Sequence, residues 1–181
     1  LSFSAGVGVA AGNLILIGMP GAGKSTVGAL LAQALKRPFV DTDALIESAQ
    51  GVSLQTIVNN RGHLALRAIE ETLLCALDYE NHVIATGGSA VYSAAAMQHL
   101  RQLGAVIYLQ LDLPTVAQRI ANFSQRGLVR RSDQSLADLY RERVPLYERY
   151  ADIAIACSNR SADQVCDAIV QAMAGAKNTA R

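Results

Sequence analysis

Lysine is scarce in this chain: Lys24, Lys36 and Lys177 stand beside 13 arginines, and 16 basic residues face 15 acidic ones for a net charge of +1. That balance lacks the global basic excess of a nucleic-acid-binding protein. Charged residues reach only 17% against 51% hydrophobic, which excludes a disordered tail or an acidic solvating segment. Cysteine is equally sparse. Cys75, Cys157 and Cys166 make an odd count without CxxC spacing, so neither a disulfide framework nor a zinc site is expected. They read as small core thiols in a reducing compartment, and a cytoplasmic location is expected. Residues 1–23 carry no charge, but six glycines, Asn13 and Pro20 interrupt them. Neither a membrane span nor a signal peptide is read there, and the first ten or so residues form an uncharged lead-in.

What remains is enough for one domain. At 181 residues a chain buries roughly 70% of its unfolded surface, and no repeat or low-complexity tract divides it. Asn13 to Ile17 is a short apolar run closed by Gly18, the mark of a buried strand. Further strands are expected at Phe39–Val40, His82–Thr86, Val106–Leu111 and Ile153–Ala156. Helical spacing covers Lys24–Leu35, Ala44–Ala49, Leu54–Asn60, Leu64–Asp78, Ser93–Leu103, Thr115–Asn122 and Leu136–Tyr150, and the Ser161-x-x-Gln164 capping box opens a last helix. Phe123 to Ser132 is polar and Arg-rich and reads as a mobile loop. Strands alternating with helices imply an α/β fold with a parallel sheet covered on both faces, and ligands bind beyond the carboxyl ends of such strands.

The segment Gly18-Met19-Pro20-Gly21-Ala22-Gly23-Lys24-Ser25 satisfies G-x-x-x-x-G-K-[ST] between a buried strand and a helix, where a phosphate-binding loop requires it. Its glycines let backbone N–H groups wrap phosphates, Lys24 reaches the β/γ oxygens, and the Ser25 hydroxyl can ligate Mg²⁺. The fold expected is therefore the three-layer α/β/α type of P-loop nucleotide hydrolases and kinases, with five parallel strands. After the second strand comes Asp41-Thr42-Asp43. Residues i and i+2 of an extended segment share a side, so both carboxylates can face the phosphates. One can hold Mg²⁺ through water and the other can accept a hydrogen bond from an attacking hydroxyl. Asp43 also fits a helix N-cap ahead of Ala44.

Taken together, Gly18–Thr26, Asp41-Thr42-Asp43 with Ile46-Glu47, Arg67 followed by Glu70, Ala85-Thr86-Gly87-Gly88, and Arg143-x-Pro145-Leu146-Tyr147 resemble the shikimate kinase family in order and spacing from about Asn13 to Ala174. The resemblance implies ATP as co-substrate, bound by Gly21, Ala22, Gly23, Lys24, Ser25 and Thr26, with Mg²⁺ held by Ser25 and Asp41. It implies that Asp43 holds the acceptor's hydroxyls and serves as base or orienter, and that Arg67 and Arg143 clamp the acceptor's carboxylate. Gly87 and Gly88 would supply backbone beneath its ring. Arg126 would be the lid arginine over the transferring phosphate, and Arg160 would lie against adenine. One domain over residues 1–181 would then carry an acceptor-binding insertion at about 44–75 and a lid at about 123–133. The partners implied are ATP and a small anionic metabolite, shikimate first, with no nucleic acid, no membrane and a monomeric protein.

The side-chain chemistry supports the same reading. Two arginines with no anion between them repel, so Arg67 and Arg143 make sense as an anion site. Each could instead pair locally, Arg67 with Glu70 or Glu71 and Arg143 with Glu142 or Glu148. Between Arg119 and Arg160 lie eight arginines and five acids, so the near-neutral total conceals an Arg-rich third suited to small anions. The chain departs from the family pattern at His63, usually Glu, at Ser89, usually a third glycine, and at Arg126-Gly127-Leu128-Val129, usually Arg-Pro-Leu-Leu. Gly127 frees the loop backbone, which raises the entropy cost of ordering it, and the Ser89 hydroxyl could bond a polyol or crowd a ring. Such changes leave open a kinase for another acceptor, such as gluconate or a nucleoside monophosphate, or a degenerate nucleotide-binding paralogue. A switch GTPase is excluded: its Asp-x-x-Gly and Asn-Lys-x-Asp motifs are missing.

Overall fold

A computed structural model of the chain describes residues 12–121 and 134–178. Five strands, β1 (Asn13–Ile17), β2 (Phe39–Asp41), β3 (Val83–Ala85), β4 (Gly104–Gln110) and β5 (Ile153–Ala156), form one parallel sheet in the order β2-β3-β1-β4-β5. Every residue of β1 and β3 is buried. Because successive side chains point to opposite faces, that pattern requires cover on both sides. The helices are α1 (Lys24–Leu35), α2 (Thr42–Gln50), α3 (Leu54–Cys75), α4 (Ala94–Leu103), α5 (Leu113–Ala121), α6 (Leu136–Tyr150) and α7 (Ala162–Asn178), with a 3-10 turn at Ala90–Tyr92. Packing of α1 against α7 and of α3 against α4 supplies cover for the sheet.

Capping chemistry sets several of these boundaries. Ser161 and Gln164 exchange backbone bonds as their spacing predicts, at 3.2 and 2.9 Å, and Ser135 with Asp138 does the same for α6. The two helices expected at 54–60 and 64–78 run on as α3, broken where Gly62 leaves helical geometry at φ 81° and ψ 165°. A small cluster of Ile46, Ile57 and Leu66 fastens α2 to α3, separate from the main core around the sheet. Cysteine departs from expectation at one position: Cys157 and Cys166 are buried thiols, but Cys75 is exposed at the end of α3. Among the described residues no helix is long and apolar enough to cross a membrane.

Register brings the motifs together. Leu16 and Asp41 both pair with Ala85, so β1, β2 and β3 end level and their following loops meet at one edge. Thr86 fastens this junction by donating both its N–H (3.1 Å) and its hydroxyl (3.0 Å) to the Leu16 carbonyl. Thr42 is fully buried, and its hydroxyl accepts from the Gly87 N–H at 3.2 Å.

Candidate active site

Beyond these strand ends opens a cleft of about 650 Å³, lined by Gly21, Gly23, Lys24, Ser25 and Thr26 from the loop after β1, by Asp41, Asp43, Glu70 and Arg143, and by Gly87, Gly88 and Ser89. Gly23 caps α1 at φ 87°, a left-handed conformation that glycine adopts without a side-chain penalty, and it offers no side-chain acceptor to the first turn. The leading N–H groups of α1 are therefore left available to an anion. Ala22 is buried, and its N–H donates to the Met19 carbonyl at 3.0 Å, closing the loop. Lys24 is buried, and its ammonium donates to the Gly18 and Met19 carbonyls at 2.8 and 3.0 Å. Burial pulls it down to about 8, an effect that nearby Asp43 opposes.

The two aspartates reach the cleft by a route other than strand alternation. Helix α2 begins at Thr42, directly after Asp41, and Asp41 is its N-cap. Its Oδ1 accepts from the N–H groups of Asp43 (3.0 Å) and Ala44 (3.5 Å), while Oδ2 accepts from the Ser25 hydroxyl at 2.5 Å. Asp43, the residue whose sequence position suggested a cap, is left with its carboxylate free for the cleft. Burial pushes that carboxyl up to about 6 in spite of Lys24. A side chain on Gly87 would overlap Glu70 Oε1 and approach Asp43 Oδ1 to 2.7 Å, so only glycine lets the two carboxylates converge there.

Helix α6 holds the opposite wall. Tyr147 is fully buried, stacks on Tyr108 at 5.1 Å and donates its hydroxyl to the Gly88 carbonyl at 2.6 Å. One turn earlier Arg143, 1% exposed, donates from Nε to the Tyr92 hydroxyl at 3.2 Å. Arg67 does not share this cleft. Its guanidinium lies 3.5 Å above the Tyr92 ring, and it lines a neighbouring cavity of about 380 Å³. Tyr92 thus stands between two arginines expected to act as one clamp. Arg67 makes no ion pair with Glu70 or Glu71, and its buried Nε has no hydrogen-bond partner.

Two residues of the site were not read from the sequence as site residues. Glu70, 3% exposed, lies beside Asp43 and Arg143. Its spacing after Arg67 was the available signal, but that spacing also suits a helical ion pair. Arg119, in the last turn of α5, donates to the Gly21 carbonyl at 3.1 Å and so rests on the phosphate-binding loop. Arg160 stands exposed on the turn after β5 and lies outside the cleft lining. Arg119 and Arg160 both lie near Cys157, whose thiol burial pushes up to about 11 against their opposing charges. Arg126 and the expected lid at 123–133 lie outside the described residues.

Glu70 makes the site costly to hold in the unliganded protein. Burial first, and Asp43 with it, pushes its carboxyl up to about 7 from an ordinary 4.5, although the Ser89 bond opposes this. A raised folded pKa means that the native state holds the proton more tightly than the unfolded chain, so stability is lost as pH rises from about 4.5 to 7. Glu70→Gln should therefore make the free protein more stable at pH 8 by about 3 kcal/mol, with the gain vanishing below about pH 4. Denaturant unfolding across that range checks it; an equal gain at both ends would contradict the assignment.

The family model for shikimate kinase matches residues 20–174. The chain is 37% identical over 170 residues to the shikimate kinase of Nitrosospira multiformis, covering 92% of this chain and 87% of that one. It is 36% identical over 152 residues to that of Xylella fastidiosa strain M12, covering 82% and 84%. Among solved structures, shikimate kinase from Acinetobacter baumannii in complex with shikimate superposes with a TM-score of 0.85 at 34% identity, covering 92% and 94%. A P-loop cleft with paired carboxylates and a buried arginine, on a chain matched along almost its whole length, identifies a member of the shikimate kinase family, an enzyme that transfers a phosphoryl group to a hydroxyl.

Proposed function

We propose that this enzyme phosphorylates a hydroxyl of shikimate with ATP and Mg²⁺. The observation that carries the reading is the convergence of Lys24, Asp43 and buried Arg143 on one cleft closed beneath by Gly87 and Gly88. Arg143 offers a fork that a carboxylate can engage, and Asp43, poised near 6 by burial, suits a base that takes a proton near neutral pH. The acceptor oxygen attacks the γ-phosphorus as its proton passes to Asp43. The bond to the bridging oxygen breaks, and ADP leaves with that electron pair. Lys24 offsets charge developing on the phosphate oxygens, and Gly21, Gly23, Ser25 and Thr26 orient them.

The donors at the metal position are a hydroxyl and a carboxylate, Ser25 and Asp41, already 2.5 Å apart. A hard oxygen-only pair suits Mg²⁺, which keeps much of its water shell and needs few protein ligands. Bound there, the ion would neutralise charge on the phosphates. Arg126 is proposed to cover the transferring phosphate, and Arg119 together with Arg160 to flank the adenine side. Arg67 is proposed to join Arg143 on the carboxylate after leaving the Tyr92 ring. ADP release measured over a panel of acceptors should depend on shikimate and be far slower with gluconate or a nucleoside monophosphate; faster turnover of either of these would overturn the acceptor assignment.

A further inference from the structure

Ser89 stands where the family pattern has glycine, and it is buried at 6% exposure with its hydroxyl donating to Glu70 Oε2 at 2.5 Å. The other oxygen of that carboxylate, Oε1, is buried without a hydrogen-bond partner. A carboxylate out of water with one oxygen unsatisfied is costly until a donor reaches it. Oε1 converges with Asp43 Oδ1 over Gly87, inside the main cleft. Ser89 and Glu70 also line the neighbouring cavity that holds Arg67 and Tyr92, so their bond forms part of the partition between the two spaces. Glu70 has another destination available. Arg67 sits three residues earlier on the same helix, a spacing at which opposite charges pair readily, and its Nε lacks a partner.

We propose that Ser89 is a positioning residue for the acceptor: by holding Glu70 Oε2 it keeps the carboxylate from turning to Arg67 and presents Oε1, beside Asp43, to an acceptor hydroxyl. The proposal rests on the phosphotransfer reading above. Facing Glu70 are Lys24 of α1, Asp43 of α2 and Arg143 of α6, while Arg67, Glu71 and Tyr92 share the second cavity with it.

Ser89→Ala keeps the Cβ and removes only the hydroxyl. The KM for shikimate should rise about tenfold, with kcat and the KM for ATP changing less than about threefold. Ser89→Thr should restore most of the loss. In a Glu70→Ala background, which has no acceptor for the Ser89 hydroxyl, Ser89→Ala should add little, because the two changes remove one interaction. An unchanged shikimate KM in Ser89→Ala, or an undiminished rise in the Glu70→Ala background, overturns the proposal. Wild-type enzyme without shikimate-dependent ADP release overturns the functional reading alone. In that case the bond is read from unfolding: without the Ser89 donor Glu70 protonates more readily, so the pH range over which stability falls moves upward in Ser89→Ala, and an unmoved range overturns the proposal.

Discussion

Asp43→Asn is expected to lower kcat by roughly 10²–10⁴, the usual worth of a positioned general base, while the protein stays folded. Asparagine has the same shape and can still accept a hydrogen bond from the acceptor, but it cannot take the proton. The helix is not at risk, because Asp41 caps α2 and Asp43 contributes only its backbone N–H to that cap. Removing a carboxylate that burial already disfavours relieves a cost in the unliganded protein, so thermal unfolding should show equal or greater stability. Single-turnover phosphoryl transfer with saturating ATP and shikimate measures the loss. A variant that keeps a third or more of the wild-type rate would show that Asp43 orients the acceptor without accepting its proton.

Lys24→Ala is expected to lower kcat by about 10²–10³ or more, the range seen when one preorganised donor to developing charge is removed. Its ammonium joins the Gly18 and Met19 carbonyls in the free protein, so the loss has two parts. Charge is missing where the phosphate oxygens need it, and two loop carbonyls lose their internal donor. Lys24→Arg separates these: it restores the charge but not the compact point donor that fits beneath the loop. ATP affinity by calorimetry and kcat by ADP release should both fall in Lys24→Ala; normal kcat at saturating ATP would reduce Lys24 to a binding group.

Much of this was legible before the fold was known, and the legible parts share a cause. The phosphate-binding loop is contiguous, and its geometry is fixed locally by a strand, glycines and a helix start, so Gly18 to Ser25 announced themselves by type and spacing. Helices Lys24–Leu35 and Leu136–Tyr150 begin and end as their periodicity predicts. The alternation of strand and helix led to the parallel sheet, because parallel strands need covered crossovers.

Other features depended on contacts between segments distant in sequence. Spacing alone offered Asp43 as the cap, and the structure gives that part to Asp41, because the helix starts one residue after the strand. Sequence paired Arg67 with Arg143; the fold sets the Tyr92 ring between them. Arg119 reached the phosphate loop across 98 residues, and Ser89 found Glu70 across 19. The sequence by itself determined the chemistry carried by each segment: a phosphate cradle, a pair of acids and an Arg-rich third. Only the tertiary structure decided which side chains share a cleft and that one oxygen of the Glu70 carboxylate remains unpartnered. Those outcomes follow from strand register and helix packing, which the distribution of the whole hydrophobic core sets and no local motif encodes.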